Sequence, residues 1–390
     1  MTGLFKSPLF LVLALWAAGL GAAAQFAKVV VIFPELQAHY GETGAASGYL
    51  VSLISFMGMV LGLVAGIIAI QIGLRRLLLI GLILGVAVSI FQATLPPFEW
   101  MLASRVFEGF SHLAIIISAP TLIAQLAVGR HQGTALTLWG SFFGVAFAIM
   151  AVVAQPTVTA FGLGGLSAAH ALYMAACAVL LTWALPLHDR RAAPSWPSLS
   201  EVARRHLTVY SSPFIAAPAL GWLFYTLTFV ALMAIAPTLV APQHRALVAA
   251  AMPLASILSS ITLGSWLLRY LPAVTVIITG FALAILLMLA FALTGPSPWL
   301  FITLFIALGL VQGASFAAVP QLNPSLSDRL LGNGGLAQTG NLGNSIGTPI
   351  VLAILASGAT LALPVFLMGC YGCAILTHLA MARRRREAQA

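Results

Sequence analysis

Long apolar runs follow one another along this chain with almost no polar relief, and that succession limits its folds more than any single motif does. Each run is roughly 18 to 25 residues long, enough for a helix to cross the hydrocarbon core of a bilayer. Only 6% of the 390 residues are charged, while 61% are hydrophobic and the mean hydropathy is +1.06. A soluble domain carries about 25% charged residues to keep its surface in water, so lipid is the expected solvent for most of this chain. A membrane β-barrel would show alternating segments of about ten residues, and the runs here do not alternate. The fold class is therefore all-α membrane.

The runs predict twelve transmembrane helices, at 8–33, 46–71, 77–95, 99–126, 133–154, 167–185, 212–238, 246–268, 272–293, 298–320, 334–356 and 361–382. They divide into an N-terminal six-helix bundle (1–185), a polar central loop (186–211) and a C-terminal six-helix bundle with a short basic tail (212–390). The loop holds His188, Asp189, Arg190, Arg191, Glu201, Arg204 and Arg205. Lys6 followed by an apolar stretch and Ala22-Ala23-Ala24 imitates a secretory signal. The run continues to Ile32, however, so a retained first helix is expected.

Charge placement gives the orientation. With both termini cytoplasmic, fourteen of the seventeen Lys and Arg fall on the inner side. Arg245 alone lies in an outer loop, and Lys28 and Arg105 lie within helices. This asymmetry is the positive-inside pattern. It accounts for the net charge of +9 without nucleic acid as a partner. The Arg383–Arg386 tail reads either as a topogenic signal or as a patch for anionic lipid. Cys177, Cys370 and Cys373 all lie in apolar stretches, so neither a disulfide nor a metal site is expected from them.

The two halves resemble each other weakly. Glu108-Gly109-Phe110-Ser111 aligns with Gln312-Gly313-Ala314-Ser315 at an offset of 204, and the same offset sets Pro120 on Pro324. Gly58, Gly62 and Gly66 recur every four residues, which lets another helix approach closely.

Six helices, a basic loop and six more, with an internal repeat, resemble the major facilitator superfamily. The loop signature G-x-x-x-D-R-x-G-R-R of that family is similar to the stretch from Gly66 through Gly73 to Arg75 and Arg76, with Ile70 and Gln71 at the acid and first arginine. Arg105-Val106-Phe107-Glu108-Gly109 is similar to the R-x-x-Q-G motif of helix 4. The helix-5 motif of drug/proton antiporters is absent apart from Gly140 and Gly144. The resemblance implies a secondary active transporter of the bacterial inner membrane that works by alternating access, with Gly66, Gly73, Arg75 and Arg76 in a gating loop. It also implies a chain that functions as a monomer. No phosphate-binding loop is present, so a gradient rather than a nucleotide is expected to supply the energy, and no cofactor is expected.

Ionisable groups inside a membrane are costly, which makes each of them a functional candidate. Arg105, Glu108 and His112 are spaced by three and four residues and share one helical face. Lys28 stands near the outer end of the first helix, one turn after Gln25. Arg105 and Glu108 either neutralise each other and lock two helices, or line a cavity. In the second case Arg105 and Lys28 bind substrate, and Glu108 or His112 exchanges protons. Trp139, Tyr225, Gln312, Asn341 and Asn344 complete a candidate substrate site. Gln338 is a further amide within a span, and His170 and His378 are expected near the membrane interface. Two cations, one acid, amides and aromatics suit a small organic anion or a planar vitamin-like or nucleobase-like solute. Proton-coupled uptake is the expectation, and proton-coupled export is the alternative within the same fold. A channel or an integral-membrane enzyme is the alternative from another class.

Overall fold

The computed structural model describes residues 7–127, 131–185 and 198–389. Lys6, Arg130 and the loop residues His188, Asp189, Arg190 and Arg191 lie outside the described residues. Among the described residues there is no strand, as lipid requires of a chain that is not a closed barrel, because every backbone N–H and C=O must be paired within its own helix.

The first helices are α1 (Pro8–Val31), α2 (Phe33–Tyr40), α3 (Ala45–Ser52), α4 (Phe56–Leu61), α5 (Ala65–Ile72), α6 (Leu74–Ala93) and α7 (Phe98–Leu126). Then come α8 (His131–Gly140), α9 (Phe142–Ala184), α10 (Leu199–Ser211), α11 (Ala216–Ile235) and α12 (Arg245–Ser259). A π turn leads to α13 (Ser265–Leu267), followed by α14 (Ala273–Thr294), α15 (Pro298–Leu322), α16 (Leu326–Ala356) and α17 (Ala362–Glu387). Ser7 caps α1, Ser198 caps α10, Ser297 caps α15 and Ser325 caps α16, each accepting a backbone N–H through its side chain. Among the described residues, nine helical stretches are long and apolar enough to cross a membrane.

The expected segments fall largely on helix but differ in continuity: Ser141 separates α8 from α9 within 133–154, the π turn interrupts 246–268, and two further differences are larger. The segment expected as one helix over 46–71 is broken into α3, a 3₁₀ turn at Leu53–Ser55, α4 and α5. The loop expected between 154 and 167 is helical, and α9 runs 43 residues through it with one non-helical residue, Gly162 at φ 73°. That left-handed value favours glycine, and it divides α9 where the two expected spans meet.

Contacts group the chain into two compact units. One holds the residues up to Gly41 together with those from Val64 to the central loop, and the other holds Glu42–Leu63 with everything from Ser198 onward. Residues 42–63 thus belong to the first six helices in sequence and to the second unit in packing. Small residues explain the grouping. A Cβ on Gly58 would lie 2.3 Å from Asn341, and one on Gly48 would lie 2.7 Å from the Pro349 backbone. α3 therefore approaches the α16 backbone directly, and α4 lies against the Asn341 side chain of α16.

The same device joins α16 to α11. A Cβ on Gly343 would meet Leu223 O at 2.6 Å, and one on Gly347 would meet Leu227 O at 2.1 Å. Lipid offers no hydrophobic force between helices, so this close packing supplies the association. Gln338 adds a polar clamp in the second unit: Nε2 donates to Met59 O at 3.1 Å, and Oε1 accepts from Tyr210 Oη at 2.8 Å. The remaining Nε2 proton faces His206 Nε2 at 2.9 Å. Gln338 is thereby fully used in tying α10 and α4 to α16.

Gly347→Leu is expected to drive α16 and α11 apart and to cost about 1–3 kcal/mol, as overpacking does. Gly372→Ala, inside α17 where a Cβ meets nothing within 4 Å, is expected to keep the stability or to add up to about 1 kcal/mol through helix propensity. Thermal unfolding in detergent measures both, and equal midpoints for the two variants contradict the packing argument.

Candidate functional site

The polar residues of α1, α6, α7 and α9 meet at one buried cluster inside the first unit. Lys28, from the last turn of α1, places Nζ 2.8 Å from Glu108 Oε1. Arg105, one turn before Glu108 on α7, pairs through NH1 with Glu108 Oε2. Gln92 of α6 donates to the same Oε2 at 2.9 Å. Arg105 and Glu108 are 0% exposed and Lys28 is 1% exposed, so water contributes little to their solvation. Two cations thus share a single carboxylate at a fully buried position. An unpaired charge there would cost far more than the pair does.

Further hydrogen bonds hold each member in place. Arg105 NH1 also donates to Gln25 O at 2.9 Å, and Gln25 Nε2 donates to Ser111 Oγ at 2.7 Å. Ser111 in turn donates to Gly81 O at 2.7 Å, which ties α6 to α7. Lys28 Nζ donates to Ser89 Oγ at 3.0 Å. Ser89 lies 2.8 Å from His170 Nδ1, while His170 Nε2 lies 3.0 Å from Gly21 O. A carbonyl can only accept, so Nε2 carries the proton and Nδ1 offers its lone pair to the Ser89 hydroxyl. The donors then run in one direction, Lys28 to Ser89 to His170 to Gly21.

His112 is buried beside this cluster. Its Nδ1 is 2.9 Å from Ala22 O, and its ring meets Phe26 edge-on at 5.1 Å. His170 also forms the polar wall of a largely apolar cavity of about 240 Å³, bounded by Leu20, Ala24, Met150, Leu166 and Tyr173.

Of the residues expected from sequence, Lys28, Arg105 and Glu108 are brought into direct contact, with His112 one turn further along α7. Trp139 packs elsewhere in the first unit, stacked on Phe142 at 4.5 Å and against Gly19. Tyr225, Gln312, Asn341 and Asn344 belong to the second unit. Tyr225 stacks between Trp222 at 4.3 Å and Phe229 at 4.8 Å. Gln312 accepts from Ser256 Oγ at 3.2 Å. Asn341 sits on Gly58 and donates to Ala337 O at 2.7 Å. The Asn344 carbonyl oxygen is buried without a hydrogen-bond donor among the described residues.

In the loop motif, Gly73 takes φ 92° between α5 and α6, and Gly66 lies within α5. Arg75 donates to Thr182 O at 2.8 Å, and Arg76 is exposed.

The sequence reading missed Ser89, Gln92 and His170. The first two stand three residues apart on α6, among apolar neighbours, and that spacing was the available signal. His170 and His378, expected near the membrane interface, are both buried against protein, at 3% and 0% exposed. Each sits on a helix face turned into its own unit, because His170 meets Gly21 and His378 packs against Gly221. The three cysteines are free thiols, and no metal-ligand cluster occurs among the described residues.

Comparison with known proteins follows the architecture. The sequence profile of the Major Facilitator Superfamily matches residues 11–348. The niacin transporter NiaP of Acinetobacter baylyi is 29% identical over 166 residues, a stretch that covers 40% of this chain and 38% of that protein. The chain therefore matches well under half of that relative's length. A crystal structure of a bacterial homologue of the human lysosomal transporter Spinster, in an inward-facing and unoccupied conformation, superposes with a TM-score of 0.70. That alignment covers 96% of this chain and 94% of the other at 15% identity, and the likeness is one of fold.

The charge count of the cluster predicts unequal substitutions. Lys28→Met leaves the matched pair Arg105 and Glu108, so its cost is that of lost hydrogen bonds, under about 2 kcal/mol. Glu108→Gln leaves two buried cations facing a neutral amide and is expected to cost about 3–5 kcal/mol. Thermal unfolding in detergent at neutral pH ranks the two, and a Lys28→Met variant less stable than Glu108→Gln contradicts the count.

Proposed function

The chain belongs to the major facilitator superfamily, and from that membership we propose a secondary transporter that takes up a small organic anion with a proton. Multi-pass insertion and transport follow from the family and the apolar helices. The substrate class, the direction, the bacterial inner membrane, the cytoplasmic termini and a monomeric working unit belong to the proposal.

One observation carries it: Lys28 and Arg105 share Glu108 at full burial. With all three ionised the cluster holds one positive charge in excess, and low-dielectric surroundings make an anion its natural complement. A substrate carboxylate that engages Arg105 or Lys28 competes with Glu108 for the same donors. Glu108, once released from one cation, is free to take a proton. Anion and proton then cross together without net charge, so the membrane potential does not oppose uptake. Gln92 and Ser89 hold the cluster's geometry while partners exchange, and His112 and His170 give the proton nearby stations.

In this reading the two halves rock around the substrate, and Gly73, Arg75 and Arg76 govern the loop that opens and closes. Gly66 belongs to the same loop motif. Trp139, Tyr225, Gln312, Asn341 and Asn344 supply ring faces and amide edges to a planar solute. The niacin carried by the partial relative is, by the chemistry of its name, a planar aromatic monocarboxylate. That compound satisfies both halves of the requirement, a carboxylate for the cations and a ring for the aromatics.

Reconstituted protein in liposomes with an alkaline interior, given labelled nicotinate and a panel of planar monocarboxylates, tests the proposal. At about 1.36 kcal/mol per pH unit, a difference of two units supports up to about a hundredfold accumulation of a carried acid. Glu108→Gln is expected to keep exchange of internal for external substrate and to lose the response to the pH gradient. Equal gradient-driven accumulation by Glu108→Gln and the unmodified protein contradicts the coupling role. Transport of lipophilic cations in preference to every acid on the panel contradicts the substrate class.

A further inference from the structure

A concavity with a polar wall lies in the second unit, lined by none of the residues of the buried cluster and unused by the transport reading. It has a volume of about 1000 Å³ and is formed where α10, α11, α15, α16 and α17 end or begin. Its level is set by the apolar spans: α11 begins at Ala216, α15 ends at Leu322, and the apolar length of α17 gives way to Arg383–Arg386. Ends of apolar spans mark the boundary between hydrocarbon and headgroups, so this concavity opens at headgroup depth.

Its lining has two characters. Phe214, Ile215 and Leu322 provide an apolar floor. Arg385, Arg386, Thr208, Ser212 and Gln321 provide the polar wall. The wall is a built one. Arg385 NH1 donates to Pro213 O at 3.0 Å, and the neighbouring Arg384 NH2 donates to Ser211 O at 3.0 Å. Asn323, 2% exposed, ties the end of α15 to the start of α11 through Phe214 O at 3.3 Å. Ser212 Oγ accepts the N–H of Phe214 and of Ile215, which leaves its own proton to donate.

The charge is uneven. Asp328, the acid of the wall, is held by Ser325 Oγ at 2.7 Å in the cap of α16. In the tail, Glu387 pairs with Arg383 at 2.9 Å and so leaves Arg385 and Arg386 uncompensated by it. Two guanidiniums beside hydroxyl and amide donors match a phosphate diester. The apolar floor matches the acyl chains attached to one, which a free phosphate does not have.

We propose that this concavity is a specific site for an anionic phospholipid, with the phosphate held by Arg385 and Arg386 and the first acyl carbons lying over Phe214, Ile215 and Leu322. Lipid bound there bridges α10 to α17, so the central-loop helix and the basic tail are held by the same molecule. The site has a consequence for transport. α10 is clamped to α16 through Gln338, and a lipid that orders α10 also orders that clamp.

The test uses the full chain purified in a neutral detergent and titrated separately with phosphatidylglycerol, phosphatidylcholine and inorganic phosphate. Binding is read by native mass spectrometry and by the thermal midpoint. Phosphatidylglycerol is expected to bind and to raise the midpoint, and the other two are not. An arginine near an anionic headgroup is worth about fivefold in affinity, so Arg385→Gln with Arg386→Gln is expected to weaken binding roughly 25-fold. Arg386→Gln alone, at an exposed position and with no side-chain hydrogen bond among the described residues, is expected to weaken it about fivefold. Arg383→Gln, which removes the same charge outside the concavity, is expected to retain binding. Equal binding of phosphatidylcholine overturns the charge recognition, and equal stabilisation by inorganic phosphate overturns the lipid. Equal loss in Arg383→Gln and Arg386→Gln overturns the site in favour of a diffuse basic surface.

Discussion

Glu108 has two cationic partners and no exposure to water, and the organisation of the first unit follows from that arrangement. Lys28 must come from α1 and Arg105 from α7, so the two helices are held at a fixed height relative to each other. Gln92 brings in α6, and Ser89 with His170 brings in α9. Four helices therefore converge on one carboxylate. An electrostatic hub of this kind does not add stability merely by existing, because burying its charges costs as much as pairing them returns. Its value lies in having alternatives. A carboxylate with two cations can release one and keep the other, and the free cation then accepts a different anion. An alternating-access transporter needs such a switch, since its two states must differ in how the same groups are paired.

The second unit is built on a different principle. It is held by close contacts at glycines, with Gly343 and Gly347 against the α11 backbone, Gly48 against the α16 backbone and Gly58 against the Asn341 side chain. Polar side chains there tie helices locally, as Gln338 does with Tyr210 and Met59. Stacked rings of Trp222, Tyr225 and Phe229 fill the interior. One unit thus carries the buried charge, and the other carries close packing and ring faces.

Much of the fold was legible because lipid enforces a simple rule: an apolar run must become a helix. The interruption of the second span was not legible. Leu53–Ser55 and the residues after Leu61 are as apolar as their neighbours, and the break arises where α3 and α4 must follow α16. The helical course through residues 155–166 was hidden because Gly162, Gly164 and Gly165 read as a loop in isolation. In the site, Arg105, Glu108 and Lys28 stood out because charge is rare inside a membrane. Ser89, Gln92 and His170 did not, since each is common enough in a helix to pass as packing. Their role depends on which neighbour they face, and sequence spacing along one helix does not report contacts between helices.

The central claim is that substrate and proton are exchanged at the Lys28–Glu108–Arg105 cluster. Proton movement on ligand binding tests it most directly, measured with a pH indicator in weakly buffered detergent solution as nicotinate or the best-carried acid is added. Linkage requires that a ligand which displaces a group from its ion pair changes that group's proton affinity. The account predicts uptake of about one proton per ligand bound by the unmodified protein and none by Glu108→Gln. Tight ligand binding with no proton uptake, or the same uptake in the Glu108→Gln protein, would contradict it.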